Sequence, residues 1–337
     1  FLIFAPLVLL LIWGIAWCIL LENNESLNDR LEPLEDLISP LLIPVSFLLV
    51  FRLGRAAVRY WDARAAMGRV VEGCRVLSST AFVQCCCDNN RMNHNHQDGG
   101  DMREKEGVVN ELLAAEEDFA RWICVFPVAV KNFLRPLAVV NKDDESFKSF
   151  RKRRYHCVDG QRKAELGSLL GTDDAEDVLR VDDTRYAPIF VLNRLRQFAY
   201  EVSISSTKEN SSSGIGGAVY RQLNDEIDAL TGAWGAMERI NSTPLPFAYV
   251  AHLRTFLMIY LLLWHIEAIA HNGWISLPAL FVGSWGLLGV EAASVECERP
   301  FRWSSNHLPL GRMCIVVANN VAQSLEDVKV GVVRQRR

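Results

Sequence analysis

Residues 1–21, FLIFAPLVLLLIWGIAWCILL, contain no charged side chain before Glu22. A hydrocarbon core about 30 Å thick is crossed by about 20 helical residues, and a backbone in lipid must satisfy its own hydrogen bonds. The run therefore commits the chain to a membrane-spanning α-helix. The apolar core of a signal peptide is shorter and ends in small residues at a cleavage site, a pattern this run lacks. The sequence opens on Phe1 rather than Met, so upstream residues, any targeting peptide among them, are expected to be missing from it.

Other apolar stretches repeat the signal. Leu37 to Val50 follows a short polar loop, ENNESLNDR, and belongs to a helix expected to begin near Leu34 and to continue well past the membrane. PLPFAYVAHLRTFLMIYLLLWHIEAI and GWISLPALFVGSWGLLGVEAA are separated only by the polar link His271 to Gly273. Four spans in two hairpins follow, and with them an all-α membrane protein. The expected organisation is a transmembrane hairpin with the cytosolic extension of its second helix over 1–75, a helical cytosolic domain over 76–243, a second hairpin over 244–293, and a tail over 294–337 packing on the cytosolic domain. From Arg52 the second span turns basic, with Arg55, Arg59, Arg64, Arg69 and Arg75, whereas the loop before it is acidic. The positive-inside tendency places that basic side in the cytoplasm or its organellar equivalent.

Between the hairpins, VVNELLAAEEDFARWICVFPVAVKNFLRPLAVV, YAPIFVLNRLRQFAYEV and YRQLNDEIDALTGAWGAMERI carry apolar residues at three- and four-residue spacing, the mark of helices packing on one another. Three stretches, near 88–106, 142–185 and 203–217, are too polar to bury a core and read as disordered insertions. The first holds His94 and His96 among Asn and Gln, a poor ligand set for a metal. The second holds the basic cluster Arg151 to Arg154, a solvated loop with contact to anionic lipid as the alternative.

A formal net charge of -4 gives no electrostatic footprint for nucleic acid. The nine cysteines lack the paired spacing of a zinc or redox motif and read as reduced thiols, with Cys85, Cys86 and Cys87 as candidate acylation sites. No phosphate-cradling glycine loop, HExxH or serine elbow is present, so the chain is not expected to be an enzyme and no cofactor is implied.

Ile43, Phe47 and Phe51 stand at i, i+4 and i+8 and so form one stripe on a helix face. From spacing alone, packing against lipid or neighbouring helices is the stronger explanation. Pro40 and Pro44 interrupt the same span and suggest a helix bent beside a cavity, or prolines that only shape span packing. Titratable groups near the third and fourth spans are His252, Arg254, His265, Glu267 and Glu291. Arg52 and Arg254 are candidates for drawing anions to a pore, while pairing of Arg254 with Glu291 in packing is the favoured alternative.

IPVSFLLVFR followed by RYWDARAAMGRVV resembles the second span of bestrophins and their bacterial and plastid relatives. ERINSTPLPFAYVAHLR, GWIS, LLGVEAASVECERPF and NHLPL occur in the order of that family's later spans and tail, and the resemblance covers nearly all of the chain apart from the insertions. It implies a homopentamer around one central pore for passive flow of small ions, usually anions such as chloride, bicarbonate or nitrate. It also makes Ile43, Phe47 and Phe51 the apolar pore neck. Counting back from PLPFAY places a second, cytosolic aperture at Ala218, beside Val219 and near Ile215. The calcium-holding acidic cluster of the animal branch has no counterpart in ERPFRWSSNHLPL, which likens this chain to the bacterial and plastid branches, including thylakoid voltage-dependent chloride channels. A thylakoid membrane is the expected home, with the plasma membrane as alternative. A cation-selective channel of the same architecture and a non-conducting membrane scaffold are the rival readings.

Overall fold

The computed structural model describes residues 3–24, 27–28, 31, 33–95, 102–135, 161–182, 187–209, 215–303 and 306–335, with side chains 83–95, 102–113, 172, 181–182, 202–209, 215–216 and 328–335 excepted. Among these residues the regular structure is helical throughout. In chain order the helices are α1 (Phe4–Glu22), α2 (Leu34–Ile38), α3 (Leu42–Asn95), α4 (Met102–Leu134), α5 (161–169), α6 (Thr172–Asp182), α7 (Ala187–Glu209), α8 (Ile215–Ser242), α9 (Phe247–Asn272), α10 (Leu277–Glu298) and α11 (Leu310–Gln335). The chain forms two compact units, and α3 passes from one into the other.

The first unit comprises Phe1–Ala63 and Ile240–His307. Its apolar stretches, in α1, in the first part of α3 and across α9 and α10, are long and apolar enough to cross a membrane. Leu7 and Leu10 of α1, Ile38 of α2, Val45 and Leu49 of α3, Leu257, Tyr260 and Leu261 of α9, and Leu288 of α10 share one buried cluster. A second cluster joins Cys18 and Leu21 to Ile269 and Leu280 at the other end of α1. The turn between α9 and α10 requires Gly273, whose φ of 58° lies in the left-handed region, and Ser276 Oγ donates to its carbonyl at 2.7 Å. The two helices then meet closely: a Cβ placed on Gly283 would stand 2.5 Å from the Trp264 ring.

The second unit comprises Arg64–Arg239 and Leu308–Arg337. Its core packs α4 between α7 and α11. Phe119 stacks on Phe198 with centroids 4.0 Å apart, and Phe133 meets Trp234 edge-on at 5.6 Å. Arg194 lies over the rings of both Trp122 and Phe190. The polar run expected as an insertion near 88–106 is helical as far as Asn95 and again from Met102. In the second such stretch α5 and α6 are helical, and in the third α7 reaches Glu209 and α8 starts at Ile215. The side chain of His94, residue His96, the Cys85–Cys87 side chains and the Arg151–Arg154 cluster lie outside the described residues.

Candidate functional site

The helix that carries the apolar stripe starts later than its sequence suggests. Ser39–Leu41 forms a 3-10 turn that contains Pro40 and separates α2 from α3. Pro44 falls in the first turn of α3, where backbone N–H groups have no intrahelical acceptor, so proline removes no helical hydrogen bond there. The change of helix type thus comes at Pro40, ahead of the stripe.

On α3, Val45, Leu49, Arg52 and Ala56 are buried, while Ile43, Phe47 and Phe51 on the other side are 75, 61 and 47 % exposed. The Phe47 and Phe51 rings rest against each other, centroids 4.4 Å apart and tilted by 57°. Each step of four residues advances about 6 Å along the axis, so the three side chains make a column about 12 Å long. Within its unit the helix buries one face and offers this column outward.

A set of charged side chains fixes the helix directly after the stripe. Arg52 is fully buried and ion-paired to Glu291 Oε2 on α10, with Glu298 Oε2 4.0 Å from its Nη2. The other Glu291 oxygen accepts from Arg254 Nε on α9 at 2.6 Å. Arg59, two turns on, donates to the carbonyls of Thr243 at 2.7 Å and Glu298 at 3.3 Å, and also to that of Ile240. Past the end of α10, His307 Nε2 stands 3.1 Å from Glu296 Oε2. One carboxylate thus bridges three helices, and removing one member of such a buried pair typically costs about 3–5 kcal/mol.

This geometry bears on two candidates. Arg52, taken from sequence as able to draw anions, is sealed in protein and neutralised. Its burial comes from Glu291 lying next to it, so its guanidinium cannot face a permeating ion. Arg254, half-exposed, pairs with Glu291 as the packing alternative had it. Arg55 was noticed in sequence only as part of the basic run. It follows Phe51 by four residues on the same exposed side of α3 and has no hydrogen-bond or ion-pair partner among the described residues. Its signal was available: it extends the spacing 43, 47, 51 by one more step.

In the second unit Ala218 is exposed in the first turn of α8, Val219 is buried, and the side chain of Ile215 lies outside the described residues. Cys74, Cys124 and Cys314 are buried free thiols. Burial pushes Cys124 and Cys314 up to about 11 and Cys74 higher still, which keeps them protonated and poorly nucleophilic at neutral pH. Lys131, close to Cys314, is ion-paired with Glu165. Among the described residues no cluster of three or more His, Cys, Asp or Glu side chains is arranged to hold a metal ion.

Bilayer-length apolar helices, a helix with one anchored and one uncovered apolar face, and a second unit whose regular structure is helical among the described residues define an integral membrane protein of α-helical construction. The chain belongs to the bacterial/fungal bestrophin family, whose family model matches residues 3–323. A voltage-dependent anion channel-forming protein of Nostoc sp. is 25 % identical over 279 residues, 83 % of this chain and 74 % of the relative. One from Synechocystis sp. is 24 % identical over 296 residues, 88 % of this chain and 78 % of that one. In fold, the crystal structure of a bacterial bestrophin homologue from Klebsiella pneumoniae matches with a TM-score of 0.69 at 20 % identity, covering 95 % of this chain and 97 % of the homologue.

Proposed function

We propose that this protein is a passive anion channel, a homopentamer whose subunits each contribute four spans, α1, the first part of α3, α9 and α10, to one central pore. The observation that carries the reading is the uncovered column of Ile43, Phe47 and Phe51 on a helix whose opposite face is bound by Glu291. Repeated around an axis, that column makes stacked apolar rings. Water leaves such a constriction readily, so small movements of α3 switch conduction without a charged gate. The edge of a phenyl ring carries partial positive charge, and edges turned inward favour an anion while holding it weakly enough to release it. Family membership and the anion-channel names of the curated relatives support the same reading over an enzyme or a scaffold.

Chloride is the proposed main ion, with bicarbonate and nitrate as further permeants, and surrounding lipid as the solvent of the spans. Exposed Ala218, beside buried Val219, is the proposed residue of the cytosolic aperture. A thylakoid membrane is the proposed location, tested by fractionation of the source cells. The channel itself is tested in planar bilayers: replacing Ile43, Phe47 and Phe51 together by Ala raises the basal current if they form the neck. An unchanged current overturns the neck, and a reversal potential that follows the cation gradient overturns the anion.

A further inference from the structure

Positive charge near the narrowest part of a channel strengthens its preference for anions, and most of the arginines around the neck are spent elsewhere. Arg52 is buried against Glu291, Arg254 shares the same carboxylate, and Arg59 is consumed by backbone carbonyls. Glu291 and Glu298 offset the charge of the first two, while Arg59 keeps its charge but is half-buried with its guanidinium held by the carbonyls. Arg55 differs in each respect. It is exposed, it has no partner among the described residues, and it lies one step beyond Phe51 in the series 43, 47, 51, 55 on a single helix. Four residues of helix set it about 6 Å from Phe51 along the axis. Gly54 beside it has open space around its Cα, so no side-chain bulk from that position crowds the guanidinium. Further along the exposed side, Val58 and Trp61 bring no carboxylate; Asp62, nearly two turns from Arg55, is the next acidic residue on α3.

We propose that Arg55 is the selectivity-determining residue at the cytosolic mouth of the neck, its copies forming a ring of positive charge that concentrates anions where the apolar rings begin. The proposal rests on the neck reading above. The ring works by raising the local anion concentration and depressing that of cations, without binding any ion tightly. A ring of charge in a narrow, low-dielectric mouth raises local counter-ion concentration by about tenfold or more, and salt screens it over about 10 Å at 0.1 M. Its effect is therefore large in dilute salt and small in concentrated salt. The buried Arg52 does not share that dependence, because protein shields it from mobile ions.

The test compares purified channels in planar bilayers at low and high chloride. Arg55→Gln is expected to lower anion conductance by about tenfold in dilute salt and by much less in 1 M salt, and to shift the reversal potential under a chloride gradient toward zero. Arg55→Lys keeps the wild-type behaviour. Should Arg55→Gln fail to assemble, Arg55→Cys carries the test on the assembled channel. A positively charged methanethiosulfonate then restores dilute-salt conductance and a negatively charged one lowers it further, each against wild type treated alike. If the triple Ala variant at Ile43, Phe47 and Phe51 raises current while Arg55 variants conduct and select as wild type in dilute salt, Arg55 has no such role and the neck stands. If the triple variant leaves the current unchanged, the neck itself fails, and the Arg55 ring goes with it.

Discussion

Glu291 holds a positive partner on each of its oxygens, one buried and one half-exposed, and the two should respond very differently to mutation. Glu291→Ala strands the Arg52 guanidinium in protein with Glu298 4.0 Å away as the remaining carboxylate, and is expected to cost about 3–5 kcal/mol. Arg254→Ala removes a solvent-screened partner and should cost no more than about 1 kcal/mol. Thermal unfolding of the two variants in detergent separates them; equal losses would mean that the buried pair is not what anchors α3. The thiols of the second unit make a second residue-level case. Burial holds Cys124 and Cys314 protonated up to about 11, above the ordinary thiol value of 9.0. A group whose folded pKa is raised stabilises fully below its unfolded pKa, and that contribution is lost as pH rises through the folded one. The unfolding midpoint should therefore fall between about pH 9 and 11, and fall less in Cys124→Ala, as a pH series of melts will show.

At the scale of elements, the first span was legible because about 20 uncharged residues in lipid are stable as a helix, and the others because long, mainly apolar runs repeat that signal. The long continuation of α3 was legible too, since its basic residues keep helical spacing past Arg52. Pro40 and Pro44 were harder, because proline at a helix start and proline at a bend look alike in sequence, and only the backbone shows which residue begins the helix. Arg52 was misread for a related reason. An arginine that ends an apolar run normally reaches back to water, and nothing local announces that Glu291, 239 residues away, lies beside it instead. The pairing of Arg254 with Glu291 could be proposed because both interrupt spans of one hairpin. The contact between those spans makes its own prediction. Gly283→Ala drives a methyl into the Trp264 ring, which is rigid and wedged between α9 and α10. The substitution should cost about 1–3 kcal/mol by overpacking. Gly286, with nothing within 4 Å of its added Cβ, should accept Ala without loss. Comparing the two melts checks it; tolerance at Gly283 would mean that the hairpin does not close as tightly as the Trp264 contact requires.

For the whole molecule, the channel we propose divides ion choice between the two features that share α3. On that proposal charge at Arg55 sorts ions by sign, whereas the rings of Ile43, Phe47 and Phe51 sort them by how readily they shed water. An apolar ring supplies no hydrogen bonds to replace a hydration shell, and moving a charge out of water without compensation is costly. Weakly hydrated nitrate should therefore pass more easily than chloride, and chloride more easily than bicarbonate. Reversal potentials under bi-ionic conditions measure that order directly. In the proposed channel, enlarging the neck with Phe47→Ala lets more water accompany each ion, so the differences among anions should shrink, while the part of the anion preference supplied at Arg55 stays. If bicarbonate instead passes ahead of nitrate in the wild-type channel, polar groups replace water in the constriction, and the apolar column cannot be its narrowest part.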